Sequence, residues 1–140
     1  MIKALIDTNV VLDALASREP FRVEAEKIFM LAAAEKFQAF VTANSITDVY
    51  YLVRKNTSEA MAREALRNLF QVFAVVDVRG KDCENALESV IGDYEDALAA
   101  VCASKIDADH IITRDEDFLQ AQSPVPVATP AGFFKVCPEG

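Results

Sequence analysis

The 140-residue sequence lacks any apolar run long enough to cross a membrane. A membrane-spanning helix needs about 20 apolar residues, and no stretch here approaches that length. The first residues also lack the charged-then-apolar order of a secretory signal peptide. The hydrophobic fraction is 52% and the mean hydropathy is +0.16, values that favour a compact globule over a disordered chain. We therefore expect a folded cytoplasmic protein.

Cysteine and histidine are scarce. The three cysteines, Cys83, Cys102 and Cys137, are widely spaced and form no Cys-x-x-Cys pair. Cys83 and Cys102 lie among apolar residues with helical spacing, which predicts buried, reduced thiols. Cys137 is a candidate for exposure. The single histidine, His110, begins a predicted strand at the end opposite to the carboxylates described below, so we expect a structural or exposed position for it.

Basic residues are outnumbered by acidic ones. Lys and Arg total 14 against 22 Asp and Glu, which gives a net charge of −8 and a pI near 4.6. Such an acidic surface argues against a general nucleic-acid-binding protein. The sequence also has no Ser/Gly-rich linker and no low-complexity segment. We therefore expect a single domain over residues 1–140.

Short strand-like runs alternate with longer helical patterns. The runs lie at 2–6, 38–42, 72–78, 110–113 and, more weakly, 125–128. Strands separated by helices at this interval are typical of a parallel sheet covered on both faces. The pattern predicts an α/β fold, a three-layer α/β/α sandwich with a parallel sheet of four to five strands.

The helical patterns also predict which residues are buried. Phe21 and Phe29 share one apolar face, and Phe70 and Phe73 share another that follows Thr57-Ser58, which suit a helix cap. A third pattern continues from Cys83 to Ile91, and we expect Gly92 to end that helix in a left-handed cap.

Four acidic residues stand at or near the ends of the predicted strands and the starts of helices. Asp7 directly follows the first run and Asp48 follows the second, whereas Asp96 comes after Gly92 and Asp115 after Thr113. A carboxylate at the end of a buried strand is costly unless something pairs with it. Ligands of parallel sheets bind beyond the carboxyl ends of the strands. The set therefore predicts a divalent-metal site.

Each acid also has a structural explanation. Asp7 suits a turn at a helix start, where a negative charge is favoured, and Asn9 can either hold Asp7 or cap the helix. Ser45 and Asp48 fit an S-x-x-D capping box, which is sufficient for Asp48 taken alone. Asp93 suits an N-cap, with Asp96 on the same helical face and Glu95 directed into solvent.

The set is stronger evidence than any member. Hard cations such as Mg²⁺ and Mn²⁺ take oxygen ligands and retain waters. Three or four carboxylates with open water positions suit that chemistry. Two such ions, about 3.5–4 Å apart, activate a water and stabilise the leaving oxygen in phosphodiester cleavage.

Three motifs carry a family resemblance. Ile6-Asp7-Thr8-Asn9, Glu95-Asp96-Ala97 and Thr113-Arg114-Asp115 with Asp117-Phe118 follow one another in an order and spacing that resemble the PIN domain, the nuclease fold of bacterial toxin–antitoxin ribonucleases. The resemblance covers nearly the whole length, from Leu5 to the Pro130-Ala131-Gly132-Phe133 segment.

The resemblance implies a fold, an activity and a site. It implies a parallel sheet between helices and Mg²⁺- or Mn²⁺-dependent endonucleolytic cleavage of RNA. The implied partners are the RNA substrate, a cognate antitoxin and a second copy in a homodimer. The family's acids correspond to Asp7, Asp48, Asp96 and Asp115, with Asn9 and Thr113 as supporting residues. The implied metal ligands are Asp7, Asp96, Asp115 and a further acid, either Asp117 or Asp93.

One departure keeps other functions open. The second acid of the family is usually Glu, and Asp48 is one methylene shorter, which favours the alternative of a catalytically weakened PIN-like binding or scaffold module. A housekeeping RNA-processing enzyme would carry the same site as a toxin. A phosphatase with an aspartyl nucleophile is disfavoured, since that chemistry wants a second Asp where this sequence has Asn9.

Overall fold

The computed structural model describes residues 1–138, and within them five parallel strands form one sheet. The strands are β1 (Lys3–Ile6), β2 (Gln38–Thr42), β3 (Phe73–Val76), β4 (His110–Ile112) and β5 (Val127–Ala128). Their order across the sheet is β3-β2-β1-β4-β5, so the winding reverses at the central strand β1. The predicted parallel α/β fold is confirmed, and each strand lies inside a predicted apolar run.

Helices fill the intervals between the strands. Among the described residues they are α1 (Thr8–Leu15), α2 (Arg22–Ala33), α3 (Ile46–Asn56), α4 (Glu59–Val72), α5 (Gly80–Leu87), α6 (Tyr94–Lys105), α7 (Glu116–Leu119) and α8 (Pro130–Phe134). Ser58 caps α4 as expected, because its Oγ accepts a hydrogen bond of 3.1 Å from the backbone N–H of Met61. No helix within residues 1–138 is long and apolar enough to span a bilayer.

Two cores cover the two faces of the sheet. On β1, Ala4 and Ile6 point into a core shared with α1 to α4 and α8. Leu5 points the other way, into a core shared with α5, α6 and α7. Alternate side chains of a strand necessarily face opposite sides, so a strand buried on both faces reads as the continuous apolar run seen in the sequence. The result is the predicted three-layer sandwich.

The expected end of the third helical pattern is wrong. Helix α5 stops at Leu87, and Gly92 has no positive φ. The Ser89 hydroxyl oxygen instead accepts a hydrogen bond of 3.1 Å from the N–H of Ile91. Serine side chains that bond nearby backbone in this way compete with helix continuation. Val90 is consequently 77% exposed rather than on a buried helical face.

Two of the four predicted core phenylalanines are exposed. Phe73 is buried and packs against Phe29 with ring centroids 4.8 Å apart, but Phe21 is 39% and Phe70 50% exposed. Phe21 lies one residue before α2 begins and therefore escapes the helix's buried face. Phe70 is displaced by its neighbour Leu69, which takes the buried position.

The cysteines are all free thiols, as expected. Cys102 is fully buried and burial raises its pKa, whereas Cys83 is half-buried. Cys137 is also buried, contrary to expectation, because it lies in the core beneath α8.

Candidate active site

A cavity of about 310 Å³ opens at the carboxyl ends of the central strands. It lies where the winding of the sheet reverses, the usual place for a ligand in this architecture. The acidic residues that line it come from four separate segments: Asp7, Asp48, Asp93, Glu95, Asp96 and Asp115. The structure therefore brings together all four acids that the sequence singled out, and it adds Asp93 and Glu95.

Asp7 is fixed at the tip of β1 by three hydrogen bonds. Its backbone N–H donates to Ile112 on β4 at 2.9 Å, and its Oδ1 accepts from the N–H of Thr8 at 2.8 Å, so that Asp7 itself caps α1. Its Oδ2 accepts from the hydroxyl of Thr113 at 2.7 Å. Burial raises the pKa of this carboxyl, and the nearby Asp115 and Glu95 add to the effect.

Thr113 links Asp7 to the acids that follow β4. It is fully buried, and its hydroxyl oxygen also accepts a hydrogen bond of 3.1 Å from the N–H of Asp115. Asp115 in turn caps α7 by accepting from the N–H of Asp117 at 3.1 Å. Asp117 is exposed and does not line this cavity; it lines a neighbouring one together with Asp93 and Asp96.

Asp96 carries the largest electrostatic perturbation in the cavity. It lies in the first turn of α6, where Asp93 caps the helix by accepting a 3.0 Å hydrogen bond from the N–H of Asp96. Asp96 is only 8% exposed. Burial and then the charges of Asp93, Asp7, Asp115 and Glu95 raise its pKa to about 7. Glu95 is exposed, as expected, and it also lines the cavity.

Asp48 lies at the exposed edge of the cavity, in the first turn of α3. The predicted capping box with Ser45 does not form, because the Ser45 hydroxyl donates to the carbonyl of Thr42 at 2.8 Å instead. A short 3₁₀ turn at Ala43–Ser45 precedes α3 and gives Ser45 helical backbone angles, unsuited to an N-cap. Asp48 is therefore left facing the cavity without a capping role.

Asn9 neither caps α1 nor holds Asp7. It is the second residue of α1, and its side-chain Oδ1 is buried with no hydrogen-bond partner among the described residues. Asn9 lines the cavity. A buried amide oxygen without a donor is costly, and a cation or a water-bearing ligand in the cavity would satisfy it.

The sequence reasoning missed an ion-pair network beside the cavity. Asp13, on α1, is 1% exposed and accepts hydrogen bonds from both Arg18 and Arg114. The guanidinium of Arg114 also stacks on the ring of Phe21 at 3.9 Å. A signal was present in the sequence, because Asp13 interrupts the apolar run of α1 and a buried charge needs a partner. The partners, however, lie 5 and 101 positions away.

The donor set of the cavity fits a hard divalent cation. It consists of carboxylate oxygens with an unpartnered amide oxygen, the ligands that Mg²⁺ and Mn²⁺ take. Burial raises the pKa of two of these carboxyls, Asp7 and Asp96, and nearby like charges add to the effect. A bound cation would relieve the repulsion between those charges. Within residues 1–138 no three His, Cys, Asp or Glu side chains already form a ready-made metal group, so the fit rests on the donor chemistry.

Comparison with known families identifies this arrangement. The family model described as PIN domain matches residues 3–117, most of the chain. This chain belongs to the PIN domain family. The matched range includes every acid of the cavity.

One curated relative has a similar length. Ribonuclease VapC1 of Aquifex aeolicus is 25% identical over 121 residues, which cover 83% of each chain.

Solved structures share the PIN fold of this chain. Mycobacterium tuberculosis VapC20, described as a sarcin-ricin loop cleaving toxin, has 16% identity and a TM-score of 0.68, over 86% of this chain and 95% of that one. A toxin–antitoxin complex from Klebsiella pneumoniae gives 23% identity and a TM-score of 0.67, over 91% and 97%. At these identities the likeness concerns the fold.

Proposed function

We propose that this PIN protein is a divalent-metal-dependent endoribonuclease and the toxin of a toxin–antitoxin pair. The observation that carries the proposal is the gathering of Asp7, Asp48, Asp96 and Asp115 in one cavity at the carboxyl ends of the central strands. The names of its relatives, a ribonuclease and members of toxin–antitoxin complexes, support the same activity.

The residues of the cavity would have different roles in phosphodiester hydrolysis. Asp7, Asp96 and Asp115 would hold Mg²⁺ or Mn²⁺, with Asp117 or Asp93 completing the set from the side of Asp96. A bound ion of this kind activates a water and stabilises the leaving oxygen. Thr113 fixes the orientation of Asp7, and Asp48, at the cavity edge, would orient the attacking water and accept its proton.

The proposed partners follow from this role. The substrate is RNA, and a cognate antitoxin protein would bind and silence the site. We further propose that the protein acts in the cytoplasm, where its RNA substrate is made, and as a homodimer. The titles of several structural neighbours name toxin–antitoxin assemblies, which favours the toxin role over housekeeping RNA processing.

Two assays on one set of proteins test the proposal. The purified parent, free of any partner, is titrated with Mn²⁺ by calorimetry and incubated with total bacterial RNA, whose new 5′ ends are mapped by sequencing. We expect Mn²⁺ binding and discrete cleavage sites that require the metal. The Asp7→Asn variant should lose both, because it removes a central carboxylate.

A matched control separates the site from general charge effects. Asp107 is exposed at the opposite end of β4 and has a φ of 55°, a conformation that Asn tolerates. Asp107→Asn should therefore bind Mn²⁺ and cut RNA like the parent. A parent that neither binds Mn²⁺ nor cleaves RNA would contradict the nuclease proposal and support the scaffold alternative, with the short Asp48 as the first cause to examine.

A further inference from the structure

Within residues 1–138, Arg18 is the one basic residue that lines the acidic cavity. It lies between α1 and α2, in the segment that passes the cavity mouth. Six carboxylates surround the same space. A positively charged side chain among these carboxylates can either pair with one of the protein's own acids or bind an anionic ligand.

The guanidinium of Arg18 is held in place from one side. Its Nε donates to Asp13 Oδ1 at 2.9 Å and its Nη2 donates to the backbone carbonyl of Asn9 at 3.0 Å. No hydrogen bond from Nη1 to a described residue is present, and the side chain is 35% exposed. Two hydrogen bonds therefore orient the guanidinium of Arg18 and leave its Nη1 edge available as a donor.

The Asp13 charge does not need Arg18. Arg114 donates hydrogen bonds to both carboxylate oxygens of Asp13, at 2.6 Å and 3.1 Å, and its guanidinium stacks on the ring of Phe21. A bidentate pair of this kind already neutralises a buried carboxylate. Two arginines against one aspartate leave the network with one net positive charge, and Arg18 presents that charge to the cavity.

We propose that Arg18 is a substrate-binding residue that contacts a phosphate of the RNA strand next to the bond that is cut. The proposal rests on the proposed ribonuclease function. A planar guanidinium fits the geometry of phosphate oxygens, and one fixed in advance loses little freedom on binding. Asp13 acts as a positioning residue, because it aims Arg18 without touching the substrate. The contact also gives an acidic protein a local attraction for an anionic strand.

Binding of RNA, measured separately from cleavage, tests the role. A labelled single-stranded RNA of mixed sequence is titrated by fluorescence anisotropy, over a range of monovalent salt concentrations, with Asp7→Asn and with Asp7→Asn/Arg18→Met. Loss of one phosphate contact should weaken binding about tenfold or more. It should also reduce the slope of log K against log salt concentration by about 0.7. With a cleavable RNA, Arg18→Met in the otherwise intact protein should raise KM and change kcat little.

Two further variants separate substrate contact from a structural role. Arg18→Lys keeps the charge and should recover part of the salt slope, although Lys lacks the planar fork. Arg22→Met removes a neighbouring arginine of similar exposure, paired with Glu19 and Glu26, and should leave KM and the slope unchanged. A purely structural role would lower the melting temperature of Arg18→Met and leave the salt slope of the double variant equal to that of Asp7→Asn.

The outcomes distinguish failure of the Arg18 contact from failure of the proposed ribonuclease function. If the parent cleaves RNA but Arg18→Met has the parental KM, and the double variant has the salt slope of Asp7→Asn, the Arg18 contact is overturned and the nuclease stands. If the parent neither binds nor cleaves RNA, both proposals fall. A ten-fold rise in KM with a shallower slope, partly restored by Lys, supports the contact.

Discussion

The hydrogen bond from Thr113 to Asp7 joins two segments that lie 106 positions apart in the chain. This hydrogen bond orients Asp7, the central carboxylate of the cavity. Thr113 is fully buried. Partners that orient ligating groups typically contribute 10–100-fold to metal affinity or activity. Thr113→Val keeps the shape and removes the hydroxyl, so we expect about a tenfold or greater loss of Mn²⁺ affinity, measured by calorimetry.

Thr113→Ser is the matched control, because it keeps the donor and loses a methyl group. It should bind Mn²⁺ nearly as well as the parent, at some cost in packing. Equal affinities for the Val and parent proteins would show that Asp7 needs no such support.

At the scale of single residues, the sequence predicted where the acids of the cavity lie but not which arginine pairs with Asp13. Asp7 and Asp115 directly follow the apolar stretches around β1 and β4, and that local position is visible in one dimension. The pairing of Asp13 with Arg114 depends on a contact between residues 101 apart, which no spacing rule contains. Asn9 was ambiguous because a polar side chain near a helix start has several partners within reach.

At the scale of elements, Lys105 fastens the end of α6 to the segment around α5. Its Nζ donates to Asp82 Oδ2 and to the carbonyl of Asp77, both at 2.6 Å. The hydrogen bond from Lys105 is the main cause that holds the pKa of Asp82 below its ordinary value of 3.8. A lowered carboxyl pKa stabilises the fold above pH 3.8 and loses that effect as the pH falls below it.

We expect Lys105→Met to lower the free energy of unfolding at pH 7 by about 1–2 kcal/mol, since a hydrogen bond to a charged group is lost and the pair is partly exposed. Urea denaturation at pH 7 measures the loss, which should shrink at pH 3. Lys81→Met, an exposed lysine of α5, is the control and should unfold like the parent. A loss that is the same at pH 3 would assign the effect to packing rather than charge.

The sequence predicted the positions of helices and strands correctly where burial of apolar side chains determines those positions. The apolar runs predicted the strands because most of the strands contribute buried side chains to the two cores. The end of α5 was wrong because Ser89 and Gly92 offer competing stops, and the hydrogen bond that favours Ser89 appears only in three dimensions. Phe21 was wrong for a similar reason, since its stacking partner Arg114 lies far along the chain.

At the scale of the whole molecule, the acidic cavity makes stability depend on pH and metal. The pKa of Asp96 is raised to about 7 from 3.8, so the folded state binds this proton more tightly than the unfolded chain does. In metal-free protein the free energy of unfolding should therefore fall as the pH rises from about 4 to about 7. The raised pKa of Asp7 acts in the same direction.

Asp96→Asn should remove much of this dependence. Each unit of raised pKa corresponds to about 1.4 kcal/mol, so we expect the metal-free variant to be more stable than the parent at pH 8 by about 1–3 kcal/mol, and nearly equal to it at pH 4. Thermal unfolding with EDTA measures the difference. Mn²⁺ should raise the melting temperature of the parent and that of the variant less. A variant that melts lower at pH 8 and responds fully to Mn²⁺ would contradict the cluster.

The assembly of the cavity has a consequence for how the protein is made. Its acids come from the end of β1, the start of α3, the start of α6 and the loop after β4, so they span residues 7 to 115. The central strand β1 is synthesised about 100 residues before its neighbour β4. A growing polypeptide therefore has no complete site until β4 pairs with β1, and the proposed nuclease would be unable to cut RNA before that pairing.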